Sequence, residues 1–268
     1  MDNRPIGVFD SGLGGLTVLK EIVTLLPNES VVYFGDSGRA PYGTKSKETV
    51  TKYTFQDIRF LLSQDIKMIV IACNTASACS LEHVKHSFDI PIIEVVQPGS
   101  NAAVRDTRNK KIGVIGTSAT VSSGVYEKAI SKLDETIEII SKACPLFVNL
   151  VEEGWWDNDI VFRTAEEYLL AVKNMGVDTL VLGCTHYPLL QGIISRVMGD
   201  DVRLVSSALE VARVVRQVVE EKDMLRNEGI KPVYRYYTSD SVVKFEQLGS
   251  IILDREIHSA EKVDIEKY

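Results

Sequence analysis

The stretch Ile69-Val70-Ile71-Ala72-Cys73-Asn74-Thr75 returns later in the chain as Leu180-Val181-Leu182-Gly183-Cys184-Thr185-His186. In each copy an apolar run reaches a cysteine and passes straight into small polar residues. A run that is apolar on both faces is what a strand buried in a parallel sheet requires. A second pair repeats in the same order and at nearly the same spacing, Ile6-Gly7-Val8-Phe9-Asp10-Ser11 and Ile112-Gly113-Val114-Ile115-Gly116-Thr117. Together the two pairs predict two related α/β halves, each ending one strand in a cysteine.

Working outward from these runs, the pattern alternates strands with helices, as in a largely parallel α/β sheet. The predicted strands are Ile6–Phe9, Val31–Phe34, Met68–Ala72, Ile92–Val95, Ile112–Ile115, Ile137–Ile140, Thr179–Gly183, Val202–Val205 and Tyr234–Tyr237. Between them Val50, Tyr53, Ile58, Leu61 and Leu62 share one helical face, as do Ala208, Val211, Ala212, Val215, Val218 and Val219. Thr164-Ala165-Glu166-Glu167 has capping-box spacing and predicts the start of a helix that ends at Gly176. The most linker-like stretch is Glu220 to Lys231, which is charged and contains Gly229.

The 268 residues are 45% hydrophobic and 25% charged, a globular balance that argues against disorder. The longest uncharged aliphatic run, Met68 to Ala72, is far short of the ~20 residues that span a bilayer. The approach to Ile6 carries no signal-peptide pattern, so the expected location is cytoplasmic, with no membrane partner. Four cysteines are too few for a disulfide scaffold and are expected as reduced thiols. A formal net charge of −7 argues against nucleic acid as the main partner.

In open α/β sheets ligands bind beyond the carboxyl ends of strands, which is where Cys73 and Cys184 fall. A thiol at a helix N-terminus gains thiolate character from the helix dipole. A lone buried cysteine is ordinarily a small hydrophobe. A matched pair at equivalent strand ends calls for a chemical reason, whereas Cys79 and Cys144 lack that context and read as structural. A redox pair would show Cys-x-x-Cys spacing, which is absent. A zinc site would need about four closely spaced ligands, and Cys184-Thr185-His186 offers one pair. Proton abstraction from one face of a carbon and delivery to the other fits best, because a free thiol titrates near pH 8.5 and can serve as acid or base.

Other polar groups collect at the same strand ends. Asp10-Ser11-Gly12 and Gly14-Gly15 form a glycine-rich turn that could cradle a carboxylate, although their spacing does not match a dinucleotide fingerprint. Asp36 to Gly43, with Pro41 and Tyr42, follows the second strand and adds glycine amides and an aromatic hydroxyl to the mouth. His186 could orient or protonate either thiol or substrate. His83 and His86 read as a solvated helix face, and His258 is given no role. Trp155 and Trp156 stand among acids, either as a contact surface or as half-buried packing.

With these motifs assembled, the sequence resembles the glutamate racemases of the cofactor-independent aspartate/glutamate racemase superfamily. The matching strings are Gly7 to Gly15, Pro41-Tyr42-Gly43, Ala72-Cys73-Asn74-Thr75-Ala76, Gly116-Thr117-Ser118-Ala119-Thr120, Cys144 to Val148, and Gly183-Cys184-Thr185-His186-Tyr187-Pro188. The resemblance implies two pseudo-symmetric, largely parallel-sheet α/β domains facing each other across the active site. It places the first domain at 1–97 plus 207–268 and the second at 98–206. It further implies that Cys73 exchanges the α-proton with D-glutamate and Cys184 with L-glutamate, without a cofactor. Asp10 would assist Cys73, while His186 and Glu152 would assist Cys184. Asp10, Ser11, Pro41, Tyr42, Gly43, Asn74, Thr75, Thr117, Thr120, Thr185 and His186 would hold the amino acid. The implied product is D-glutamate for peptidoglycan, made by a homodimer. At Asn149 many relatives carry proline, which bears on the path leading to Glu152. Some relatives carry an N-terminal extension tied to activation by a cell-wall precursor, and with five residues before the first strand no such activation is expected.

Three rival readings remain at this stage. The same fold could act on aspartate. Cys184 with His186 could form an acyl-enzyme in a hydrolase or transferase, which leaves Cys73 unexplained. A non-catalytic protein of this fold would bind glutamate without exchanging its α-hydrogen.

Overall fold

The computed structural model describes residues 1–227 and 229–268. Its first stretch runs β1 (Ile6–Asp10), α1 (Leu16–Leu25), β2 (Val31–Gly35), α2 (Lys47–Leu62), β3 (Met68–Ile71), α3 (Asn74–Lys85), β4 (Ile92–Glu94) and α4 (Val96–Asp106). The next runs β5 (Lys111–Gly116), α5 (Ser118–Ser122), α6 (Val125–Leu133), β6 (Glu138–Ala143), α7 (Leu146–Glu152), α8 (Asp159–Asn174), β7 (Thr179–Gly183), α9 (Gln191–Met198) and β8 (Arg203–Val205). The chain closes with α10 (Ser207–Glu221), β9 (Tyr234–Thr238), α11 (Val242–Leu253) and β10 (Glu261–Lys262).

Two sheets result, one in the order β10-β9-β2-β1-β3-β4 and one in the order β6-β5-β7-β8. Their strand pairs are parallel. The repeated sequence has a structural counterpart: β2-β1-β3-β4 and β6-β5-β7-β8 share one strand order, and Ile6 opposite Met68 corresponds to Ile112 opposite Thr179. The central strands β1, β3 and β7 are buried along their whole length, as strands covered by helices on both sides must be.

Alternation along the strands divides the core. Ile6 and Val8 of β1 join Val114 of β5 and Val211 of α10 in one apolar cluster that spans both sheets. Phe9 faces a second cluster, with Phe34 and Ile71, outside the larger sheet. Leu180 and Leu182 face a third, outside the smaller one. Each fully buried side chain of this size contributes about 1.5–3 kcal/mol, so the shared cluster binds the two sheets together on that side.

Two sequence expectations need correction, and one strand was not predicted. The helix expected to open at Thr164 begins a turn and a half earlier, where the Asn158 side chain accepts the Val161 N–H at 3.0 Å and caps α8. A true N-cap outranks the capping-box spacing, because its side chain satisfies a backbone donor that has no partner within the helix. The linker-like stretch starts inside α10 and is anchored beyond it: Lys67 Nζ donates to Met224 O at 2.7 Å, and Arg226 N–H donates to Glu29 at 2.9 Å. Glu228, within that stretch, lies outside the described residues. Finally, β10 carries no apolar run, since both its residues are exposed charges on a sheet edge. No helix among the described residues is long and apolar enough to cross a membrane.

Candidate active site

The carboxyl ends of β1, β3, β5 and β7 meet between the two sheets. Cys73 caps α3, its Sγ accepting the Ala76 N–H at 3.4 Å and lying 3.6 Å from Ser11 Oγ. Cys184 follows β7 directly, with its Sγ 3.7 Å from His186 Nδ1. Both thiols are buried, at 4% and 6% exposure. Hydroxyls bridge the two sheets around them. Thr185 Oγ1 donates to Asp10 Oδ1 at 3.2 Å, and Thr17 Oγ1 donates to Thr185 O at 3.1 Å. Thr117 Oγ1 lies 2.9 Å from Thr75 Oγ1 and 3.0 Å from Thr120 Oγ1.

Behind Cys184 stands a second pair, with His186 Nε2 2.7 Å from Glu152 Oε1. Glu152 is the last residue of α7, and the exposed Asn149 leaves that helix continuous: its carbonyl accepts the Glu153 N–H at 3.1 Å. Burial alone would push His186 down, but hydrogen bonds to Cys184 and Glu152 outweigh it and hold the imidazole well above its ordinary range. Burial likewise opposes ionisation of Glu152, yet the His186 hydrogen bond leaves the carboxyl below its usual value. His186 thus sits between two partners, with Nε2 toward the Glu152 carboxylate and Nδ1 toward the Cys184 sulfur.

The Cys73 side is the opposite. Burial first, and then the charge of Asp10, push this thiol far up, so it rests protonated. Burial also raises Asp10, although the His186 charge and the N–H groups of Gly15 and Gly12 partly offset it. One sulfur thus stands beside a carboxyl group that opposes its ionisation, while the other stands beside an imidazole.

Glycine makes the close approaches possible. A Cβ on Gly14 would sit 2.5 Å from His186 Nδ1, and one on Gly43 would sit 2.4 Å from Thr117 Cβ. The Pro41-Tyr42-Gly43 segment enters differently from the sequence expectation. The Tyr42 hydroxyl is buried against Asp36 and Asp57, so it is turned to that carboxylate pair and not to the mouth. The segment presents backbone instead, because the first N–H groups of the short 3-10 turn Tyr42–Thr44 have no partner within the turn. Asn74 accepts from Tyr126, while its Nδ2 is buried with no protein partner.

The remaining candidates fall outside this constellation. Cys144 is pushed up to about 12 by burial, and burial also raises Cys79. His83 and His86 are exposed at the end of α3, and His258 pairs with Glu256 on the surface at 3.0 Å. The tryptophans divide: Trp155 is 44% exposed, whereas Trp156 is half-buried and donates to Val151 O at 3.1 Å. Sequence reasoning missed Thr17, Tyr33, whose hydroxyl donates to Gly12 O at 2.8 Å, and Tyr126. None sits at a strand end, so no positional signal marked them.

Residues 6–215 match the model of the Asp/Glu/Hydantoin racemase family. The chain belongs to that family. As a member of the Asp/Glu/Hydantoin racemases it is an enzyme of the isomerase class, and the relatives it resembles over their full length are glutamate racemases. It is 47% identical over 263 residues to the glutamate racemase of Geobacter metallireducens, covering 98% of this chain and 97% of that protein. Among solved structures, a glutamate racemase isoform from Bacillus anthracis superposes with a TM-score of 0.94 at 41% identity, covering 98% of each chain. The glutamate racemase from Francisella tularensis in complex with D-glutamate gives a TM-score of 0.93 at 39% identity, covering 100% of each. The two facing α/β units seen here are therefore the architecture of this racemase family.

Proposed function

We propose that this protein interconverts L-glutamate and D-glutamate by two-base proton transfer at the α-carbon, without a cofactor. The observation that carries the reading is the matched pair of buried thiols, Cys73 and Cys184, at equivalent strand ends of two sheets that face each other. A planar carbanion between two such groups can lose a proton to one face and regain one from the other. Starting from L-glutamate, the Cys184 thiolate takes the α-proton and the Cys73 thiol delivers its own to the opposite face, giving D-glutamate. The reverse reaction uses the same groups with roles exchanged.

The α-proton is a very weak acid, so the developing charge must be met by fixed donors in a site closed to water. Asp10 assists Cys73. His186, steadied by Glu152, assists Cys184. Ser11, Asn74, Thr75, Thr117, Thr120, Thr185 and the Pro41-Tyr42-Gly43 backbone hold the ammonium and the two carboxylates. Because Cys73 and Cys184 are buried, glutamate enters by opening of the two units, which we place at 1–97 plus 207–268 and at 98–206. The protein is proposed to work in the cytoplasm as a homodimer, supplying D-glutamate for peptidoglycan, with no nucleic-acid or membrane partner.

The reading is tested by incubating the purified, reduced protein in deuterium oxide with L-glutamate or L-aspartate and following optical rotation and α-deuteration. Loss of rotation with deuterium entry is expected on glutamate alone. Turnover of aspartate in preference to glutamate would overturn the substrate assignment, and exchange of neither would overturn the activity.

A further inference from the structure

Tyr126 on α6 touches the neighbours of both thiols. Its hydroxyl donates at 2.6 Å to Oδ1 of Asn74, the residue after Cys73. Its ring lies against Gly183, the residue before Cys184, where an added Cβ would stand 3.1 Å from Tyr126 Cε2. Tyr126 and Asn74 are 1% and 2% exposed. With Oδ1 taken, the other end of the Asn74 amide, Nδ2, is a buried donor without a protein partner. A buried donor left unpaired is destabilising, and a ligand acceptor would remove that cost.

The tyrosine also decides which amide atom is free. Asn74 Oδ1 is the acceptor that the buried phenol proton has among the described residues. If the amide turned over, that proton would lose its acceptor and Oδ1 would face the site. The resulting lone pairs would repel a carboxylate. Burial raises Tyr126 far above an ordinary tyrosine, so it remains a donor wherever the enzyme is folded near neutral pH.

We propose that Tyr126 is a positioning residue: by holding Asn74 Oδ1, it aims Asn74 Nδ2 at a carboxylate of the bound amino acid. This inference rests on the glutamate reading above. The test is steady-state kinetics in both directions for the wild type, Tyr126→Phe, Asn74→Ala and the double variant, with Tm as a check on folding. Tyr126→Phe keeps the ring and its packing, so it is expected to raise KM for both enantiomers about tenfold, the equivalent of ~1.4 kcal/mol, with kcat within about threefold. In the Asn74→Ala background the same change is expected to cost nothing more, because the amide it orients is gone. If Asn74→Ala does not fold, Asn74→Ser replaces it in the cycle. An unchanged KM in folded Tyr126→Phe, or full additivity in the double variant, would overturn the role of Tyr126 while leaving the glutamate reading standing. A wild type inert on glutamate would overturn both.

Discussion

Glu152 Oε1 takes a hydrogen bond from His186 Nε2 at 2.7 Å and another from the Leu13 N–H at 3.4 Å. One carboxylate oxygen thereby ties the Cys184 side of the site to the turn that follows β1. Beside the catalytic role proposed for it, the pair is a stability element, and the directions of its two pKa shifts give its pH range. His186 is raised, so its share of the stability is complete below about pH 6.5 and is lost as pH climbs through the raised value. Glu152 is lowered, so its share is complete above about pH 4.3 and is lost as pH falls through the depressed value.

Glu152→Gln is accordingly expected to lower Tm by about 4–8 °C near pH 6, for a loss of ~2 kcal/mol in a partly exposed pair. The gap should narrow toward pH 3 and again at alkaline pH. Thermal melts of both proteins across that range check it. A constant gap would show that the carboxylate acts through packing alone.

His186→Asn is expected to separate the two directions in kcat but not in kcat/KM. The enantiomers are mirror images, so the equilibrium constant is one and kcat/KM must fall equally for both. Because His186 touches Cys184 and not Cys73, kcat should drop about 10–100-fold more from L-glutamate than from D-glutamate, within the range of general acid–base effects. Equal losses of kcat in both directions would remove His186 from one face of the substrate.

Gly14→Ala should be far more damaging than its size suggests. The added methyl would lie 2.5 Å from His186 Nδ1 and 2.6 Å from Thr185 Oγ1, so either the turn or the imidazole must move. Overpacking of this kind costs about 1–3 kcal/mol in stability, and displacement of the imidazole should lower kcat at least about a hundredfold. Near-normal turnover would mean that the geometry around His186 is not critical.

The sequence made the strands legible because β1, β3 and β7 are buried on both faces and read as unbroken apolar runs. The thiols were legible for the same reason, since each stands where such a run ends. β10 was not, because an exposed two-residue edge strand has no apolar pattern to read. Nor was the start of α8, where Asn158 lies in a charged stretch that offered no periodic signal. The partners of the site residues were harder still. Tyr126 meets Asn74, and Thr17 meets Thr185, only after the sheets close on one another. Tyr42 illustrates the limit from the other side: the residue was visible, but the direction of its hydroxyl depends on Asp57, which a helix brings from elsewhere in the chain.

The central claim is that two thiols act on opposite faces of one carbon. It is tested most directly by assaying Cys73→Ala and Cys184→Ala for racemisation of L- and D-glutamate in deuterium oxide, with circular dichroism to confirm folding. Cys73→Ala gives up one long sulfur cap on the Ala76 N–H, and Cys184→Ala gives up only its side-chain contact to His186, so both variants should fold. The account predicts that each loses racemisation by at least about a thousandfold in both directions. Substantial racemisation by either folded variant would contradict it.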